Sequence, residues 1–128
     1  LQQLVKFIKS QGLAENISFL GYRSDIYEII KNSNITFSLS SLPEAFGRTV
    51  IESIKLGVPV IGYNHGGVGE QLKHIFPSGL TLLNNKNLLL NKTIEFIQKP
   101  PKVKSTSLFT LNKMQEHTLM VYKNLVGK

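Results

Sequence analysis

The chain is 128 residues long, enough for one domain with its own core, and it has no Cys, which excludes a disulfide framework and any thiolate metal site. No apolar run approaches the roughly 20 residues that cross a bilayer, so a soluble protein is expected, and the absence of Cys suits a reducing, cytoplasmic compartment. The net charge of +7 is lopsided: residues 1–72 hold six Lys/Arg against six Asp/Glu, whereas residues 73–128 hold nine Lys against Glu95 and Glu116.

Leu1, Leu4, Val5 and Ile8 recur at helical spacing, and Gly12 ends that segment as a C-terminal cap would. A helix therefore opens the chain, with no strand before it and no initiator Met, and the sequence reads as a piece of a longer protein. The apolar run NISFLG, Asn16 to Gly21, predicts a short strand. Asp25, with Glu28 three residues on, has the spacing of a capping box and opens a helix carrying Ile26, Ile29 and Ile30. The pattern then repeats. A strand is expected at Asn34 to Ser40, a loop from Ser41 to Phe46, a helix with Val50, Ile51 and Ile54 that stops at Gly57, and a strand at Pro59 to Tyr63. A loop at Asn64 to Gly67, a short helix around Gly69 to Lys73 and a strand at Leu80 to Leu83 follow. Two helices finish the chain, near Asn87 to Gln98 and Leu108 to Leu125, separated by the breaker KPPK at Lys99 to Lys102. Strands alternating with helices at this spacing predict an α/β fold, a Rossmann-like parallel sheet with flanking helices, whose ligands sit at the carboxyl ends of the strands.

The stretch from Ser40 to Gly67 carries the chemistry. A strand ends, a polar loop presents Glu44, and Gly47 lets the backbone approach a ligand where the next helix begins. The first turn of that helix offers unpaired N–H groups and a partial positive charge, a site suited to phosphate. Glu44 and Glu52 flank that start, and carboxylates accept paired hydrogen bonds from hydroxyls. A ligand ordered diol, diphosphate, diol matches this layout, as in a nucleotide-diphosphate sugar. Gly66 and Gly67, after the next strand, form the opposite lip of the crevice and permit close backbone approach, and Tyr22 after NISFLG is placed to stack on a base.

The motif E-x7-E in PEAFGRTVIES, followed by LGVPVIGYNHGG, resembles the retaining GT-B glycosyltransferases (glycosyl transferases group 1). The resemblance covers Asn16 to Leu83 well and the last helix more loosely. It implies the C-terminal, donor-binding half of a GT-B fold, truncated on its N-terminal side. It also implies that Glu44 contacts hydroxyls of the transferred sugar as the catalytic residue. Phe46, Gly47, Arg48 and Thr49 then surround that sugar and the diphosphate, Glu52 holds the ribose, and Tyr22 takes the base. The implied reaction transfers a hexose with retention in bacterial surface polysaccharide or glycolipid synthesis, without a metal or other cofactor. Ser40 stands where the family usually has Pro, and the family's diphosphate-binding Arg and Lys would lie before Leu1, so the chain alone is expected to be inactive. Expected partners are the nucleotide-diphosphate sugar, the missing N-terminal domain, an anionic membrane surface at the cell's inner face through the Lys-rich half, and a second copy through the apolar stripe of the last helix, Leu111, Met114, Thr118, Val121 and Leu125. Nucleic acid is not expected, because no aromatic platform interleaves the lysines. Two alternatives stand beside this reading: a sugar-nucleotide epimerase of similar fold, and a non-catalytic basic binding module.

Overall fold

The computed structural model describes residues 1–104, 106 and 109–126. Along them run α1 (Gln2–Ser10), α2 (Ile26–Lys31), β1 (Thr36–Ser38), α3 (Arg48–Lys55), β2 (Val60–Tyr63), α4 (Gly66–Ile75), a single 3-10 turn (Pro77–Gly79), β3 (Leu80–Thr81), α5 (Lys86–Gln98) and α6 (Leu111–Val126). The strands pair parallel in the order β1-β2-β3, with Thr36 opposite Val60, Ser38 opposite Gly62 and Tyr63 opposite Thr81. Parallel pairing brings the carboxyl ends of the strands, and the loops into α3 and α4, to one edge. The α/β layer expected from the alternation is present.

The unbroken apolar run around β2 suits a strand covered on both faces. Val60 and Ile61 are fully buried, and Val50 and Ile54 of α3, Val68 and Leu72 of α4 and Phe96 of α5 converge with them in one core. Phe76 meets Phe96 edge to face, with centroids 6.0 Å apart. On α3 the buried residues are Val50, Ile51, Ser53 and Ile54, which leaves Arg48, Thr49 and Lys55 outside and Glu52 at the boundary. At the start of α5 the Asn85 side chain accepts a hydrogen bond from the Leu88 N–H at 2.9 Å. Asn85→Ala should lower the stability of the chain by about 1 kcal/mol, read as a lower urea midpoint with unchanged slope; no change in the midpoint would show that this cap contributes nothing.

Several expected elements differ. NISFLG is not a strand: Ile17, Phe19 and Leu20 are 40%, 48% and 54% exposed, and among the described residues β1 pairs only with β2. Strand-forming side chains do not make a strand without a neighbouring ladder to satisfy the backbone. Asp25 is the N-cap of α2 but makes no capping bond, because Arg23 takes its carboxylate. α4 begins at Gly66, so Gly66 and Gly67 form a helical first turn rather than a loop. β3 ends at Thr81. The expected start of the last helix at Leu108 lies outside the described residues; α6 itself runs from Leu111 and buries none of its residues, with Leu111, Met114, Val121 and Leu125 all more than half exposed. No helix among the described residues is long and apolar enough to cross a membrane.

Candidate functional site

At the carboxyl edge of the sheet, α3 and α4 begin side by side. Gly47, the N-cap of α3, has φ +70°, a left-handed conformation that glycine adopts without steric cost. A Cβ there would lie 2.8 Å from Val68 Cγ2, so the bare backbone at Gly47 makes room for α4 as well as for any ligand. No side chain caps α3, and its first-turn N–H groups keep their partial positive charge.

The loop before α3 lies directly on the first turn of α4. The Gly67 N–H donates to the Glu44 carbonyl at 2.8 Å, and the Gln71 side-chain amide donates to the Phe46 carbonyl. A Cβ on Gly66 would come within 2.9 Å of the Glu44 carbonyl oxygen, and one on Gly67 within 2.6 Å of the Ala45 carbonyl oxygen. The close approach expected of these two glycines is thus made to the acidic loop. Ser40 donates its hydroxyl to the Leu42 carbonyl at 2.9 Å and closes a local turn in the same loop. The Glu44 side chain is exposed.

On the other side of α3, a cavity of about 780 Å³ is walled by Phe46, Arg48 and Glu52 together with Tyr27, Lys55, Phe109 and Met114. The Glu52 side chain is only 24% exposed, against 81% for that of Arg48, which reaches its carboxylate at 3.4 Å; the Tyr27 hydroxyl lies 3.4 Å from the same oxygen. These are long, weak contacts, so Glu52 is half-sunk yet free to accept stronger bonds. Phe46 meets Phe109 edge to face at 6.0 Å. An opening of about 840 Å³ lies at the opposite, amino edge, lined by Asn34, Ile35, Val58 and Pro59, away from both helix starts. Its greater size does not outweigh its lack of convergent charged groups, Lys31 being the one charged wall residue among the described residues.

The sequence-nominated residues therefore fall into three places. Phe46, Arg48 and Glu52 share the cavity; Glu44, Gly47, Thr49, Gly66 and Gly67 sit at or beside the helix starts; Tyr22 stands apart, 97% exposed. Arg23 donates to Asp25 at 2.7 and 2.6 Å. That pairing holds the Asp25 carboxyl below its ordinary value and raises Arg23 above its own, though both are too exposed for the pair to add much stability. Tyr27, Lys55, Phe109 and Gln71 are additions to the expected site, and Met114, expected on the apolar stripe of the last helix, joins the cavity wall. Lys55 could have been, because Arg48, Glu52 and Lys55 follow one another at i, i+4 and i+7 on one helical face. Phe109 and Met114 arrive from far along the chain and give no local signal.

A parallel sheet with crossover helices and an uncapped helix start at its carboxyl edge match a piece of a GT-B glycosyltransferase fold. The chain belongs to the glycosyl transferases group 1 family, whose sequence profile matches residues 1–108. It is 39% identical over 76 residues to mannosylfructose-phosphate synthase of Agrobacterium fabrum, a match spanning 58% of this chain and 16% of that protein. It is 34% identical over 61 residues to the O-antigen biosynthesis glycosyltransferase WclY of Escherichia coli, over 48% of this chain and 17% of that protein. The crystal structure of HepE from Anabaena in complex with UDP-glucose superposes with a TM-score of 0.72 at 29% identity, covering 80% of this chain and 28% of that one.

Proposed function

We propose that the chain is the donor-binding part of a two-domain glycosyltransferase that moves a hexose from a nucleotide-diphosphate sugar to an acceptor hydroxyl with retention, in the synthesis of a bacterial surface polysaccharide or glycolipid. The observation that carries the reading is the uncapped start of α3 at the carboxyl edge of the sheet, with Glu52 half-sunk in a cavity about one helical turn further on. In this arrangement the diphosphate lies against the N–H groups of Gly47, Arg48 and Thr49. Glu52 accepts hydrogen bonds from the ribose, Glu44 from the transferred sugar, and Phe46 supplies an apolar wall. Tyr22 and its neighbours approach the base, and Gly66 and Gly67 support the acidic loop from below. The likeness to the UDP-glucose complex of HepE favours a uridine diphosphate hexose.

In the transfer, the acceptor oxygen bonds to the anomeric carbon as the bond from that carbon to phosphate breaks. The acceptor proton passes to the departing diphosphate. Charge develops on the leaving oxygens, where preorganised N–H dipoles at the α3 start act most strongly; no step in this scheme calls for a metal. An NMR titration of the chain with UDP-glucose, with GDP-mannose and ADP-glucose as comparisons, tests the reading. Saturable shifts are expected with UDP-glucose in the amides of 44–49, around Glu52 and near Tyr22, and not at the amino edge of the sheet. Flat spectra with all three compounds would remove the donor-binding assignment.

In a two-domain enzyme the apolar side of α6 has the other domain to cover it. Alone, the chain shows that side to water, with Leu125 68% and Met114 61% exposed, and burying it is favourable. Light scattering of the isolated chain should show an apparent mass that rises with concentration. A constant monomer mass at high concentration would show that this face does not drive association.

A further inference from the structure

Gln71 is a buried polar residue that the scheme above does not use. It sits on α4, is 2% exposed, and spends its amide N–H₂ on one acceptor, the carbonyl of Phe46, two elements away in sequence. Its Oε1 is buried without a partner. An apolar residue at this position would avoid that orphaned oxygen, whose burial is unfavourable, but would take from the Phe46 carbonyl the donor that Gln71 supplies. The loop it holds is the one that presents Glu44, and among the described residues the other bond between that loop and α4 is Gly67 N–H to the Glu44 carbonyl at 2.8 Å.

We infer that Gln71 is a positioning residue that fixes the Glu44 to Gly47 loop against α4, setting where the Glu44 carboxylate meets the transferred sugar. This inference rests on the donor-binding reading. The two carboxylates are held differently: Glu52 belongs to α3 and is fixed by its helix, whereas Glu44 lies in a loop whose position is set from outside, by Gln71 and the α4 backbone. Loosening the loop therefore weakens recognition of the sugar more than recognition of the nucleoside diphosphate.

The test uses Gln71→Leu and Gln71→Glu in the full-length protein, with UDP-glucose and UDP as probes. Gln71→Leu should lower UDP-glucose affinity about tenfold, change UDP affinity less than about twofold, and speed hydrogen exchange of the Gly67 amide. Gln71→Glu should bind UDP-glucose no better than Gln71→Leu at pH 8, where an ionised acid has no proton to donate and is repelled by the Phe46 carbonyl. Relative to wild type it should recover near pH 5, because burial favours the neutral acid, which can donate to the Phe46 carbonyl. Equal losses for UDP-glucose and UDP, or an unchanged Gly67 exchange rate, would overturn the inference. Failure of the wild type to bind either probe would overturn the donor-binding reading along with it, whereas binding that is lost in Glu52→Ala but kept at wild-type strength in Gln71→Leu would overturn this inference alone.

Discussion

Glu52→Ala should weaken UDP-glucose binding by roughly 30-fold, corresponding to about 2 kcal/mol for hydrogen bonds to a charged acceptor, while leaving the stability of the chain nearly unchanged. The two halves of this expectation come from one geometry. In the structure the carboxylate has only long contacts, 3.4 Å to Arg48 and 3.4 Å to the Tyr27 hydroxyl. Removing it forfeits little in the unliganded protein, since Arg48 is 81% exposed and hydrates freely. A ribose diol, by contrast, would present two donors to an acceptor already desolvated on one side, and such bonds are the strong kind. Glu52→Gln should lie between, because it keeps the shape and one acceptor but loses the charge. Calorimetric titration of the full-length protein, alongside a urea melt of each variant, separates the effects. An affinity equal to wild type in Glu52→Ala would remove the cavity beside α3 from the donor site. A large loss of stability would show that the carboxylate serves the fold instead.

The second large effect is expected at Gly67. A Cβ there would stand 2.6 Å from the Ala45 carbonyl oxygen and 2.8 Å from the Phe46 Cα, both backbone atoms with no flexible end to swing aside. Gly67→Ala must therefore push the acidic loop away from α4 and break the bond from the Gly67 N–H to the Glu44 carbonyl. Overpacking and the lost bond together should cost about 3 kcal/mol. Gly12→Ala is the natural control, because a Cβ at Gly12 meets nothing within 4 Å and the φ of +68° is the only penalty; about 1 kcal/mol is expected there. Urea denaturation of the two variants decides the matter. If Gly67→Ala is no more destabilised than Gly12→Ala, the loop is not packed against α4 as the structure has it.

Much of this architecture is legible in the sequence, and the reasons differ by element. The unbroken apolar PVIGY and the periodic Val50, Ile51 and Ile54 announce a buried strand and a one-sided helix because burial itself imposes those patterns, and β2 and α3 lie where they point. The skeleton of the candidate site is legible for the same local reason: a helix start, a glycine and two acids occupy one short stretch. NISFLG misleads because a strand is a relation between segments, and its composition carries no information about whether a neighbour exists. Asp25 misleads because a capping box and an ion pair compete for one carboxylate, and Arg23 lies two residues away. Gly66 and Gly67 suggest room for a ligand, whereas the structure fills the space they leave with residues 43–46, a long-range contact that no spacing rule encodes. The wall that Phe109 and Met114 add to the cavity is hidden for the same cause, since more than fifty residues separate them from Glu52.

The strands are adjacent in space in the order in which they occur along the chain, each joined to the next by one helical crossover. The loops to be closed before each pairing forms are therefore short for a parallel sheet, and the entropy of closure rises only slowly with their length. Assembly can proceed by zippering from β1 outward, without waiting for distant parts of the polypeptide to meet, which favours rapid folding for this topology. The slowest-exchanging amides should then cluster in β2 and in the buried turns of α3 and α4, while α1 and α6 open first.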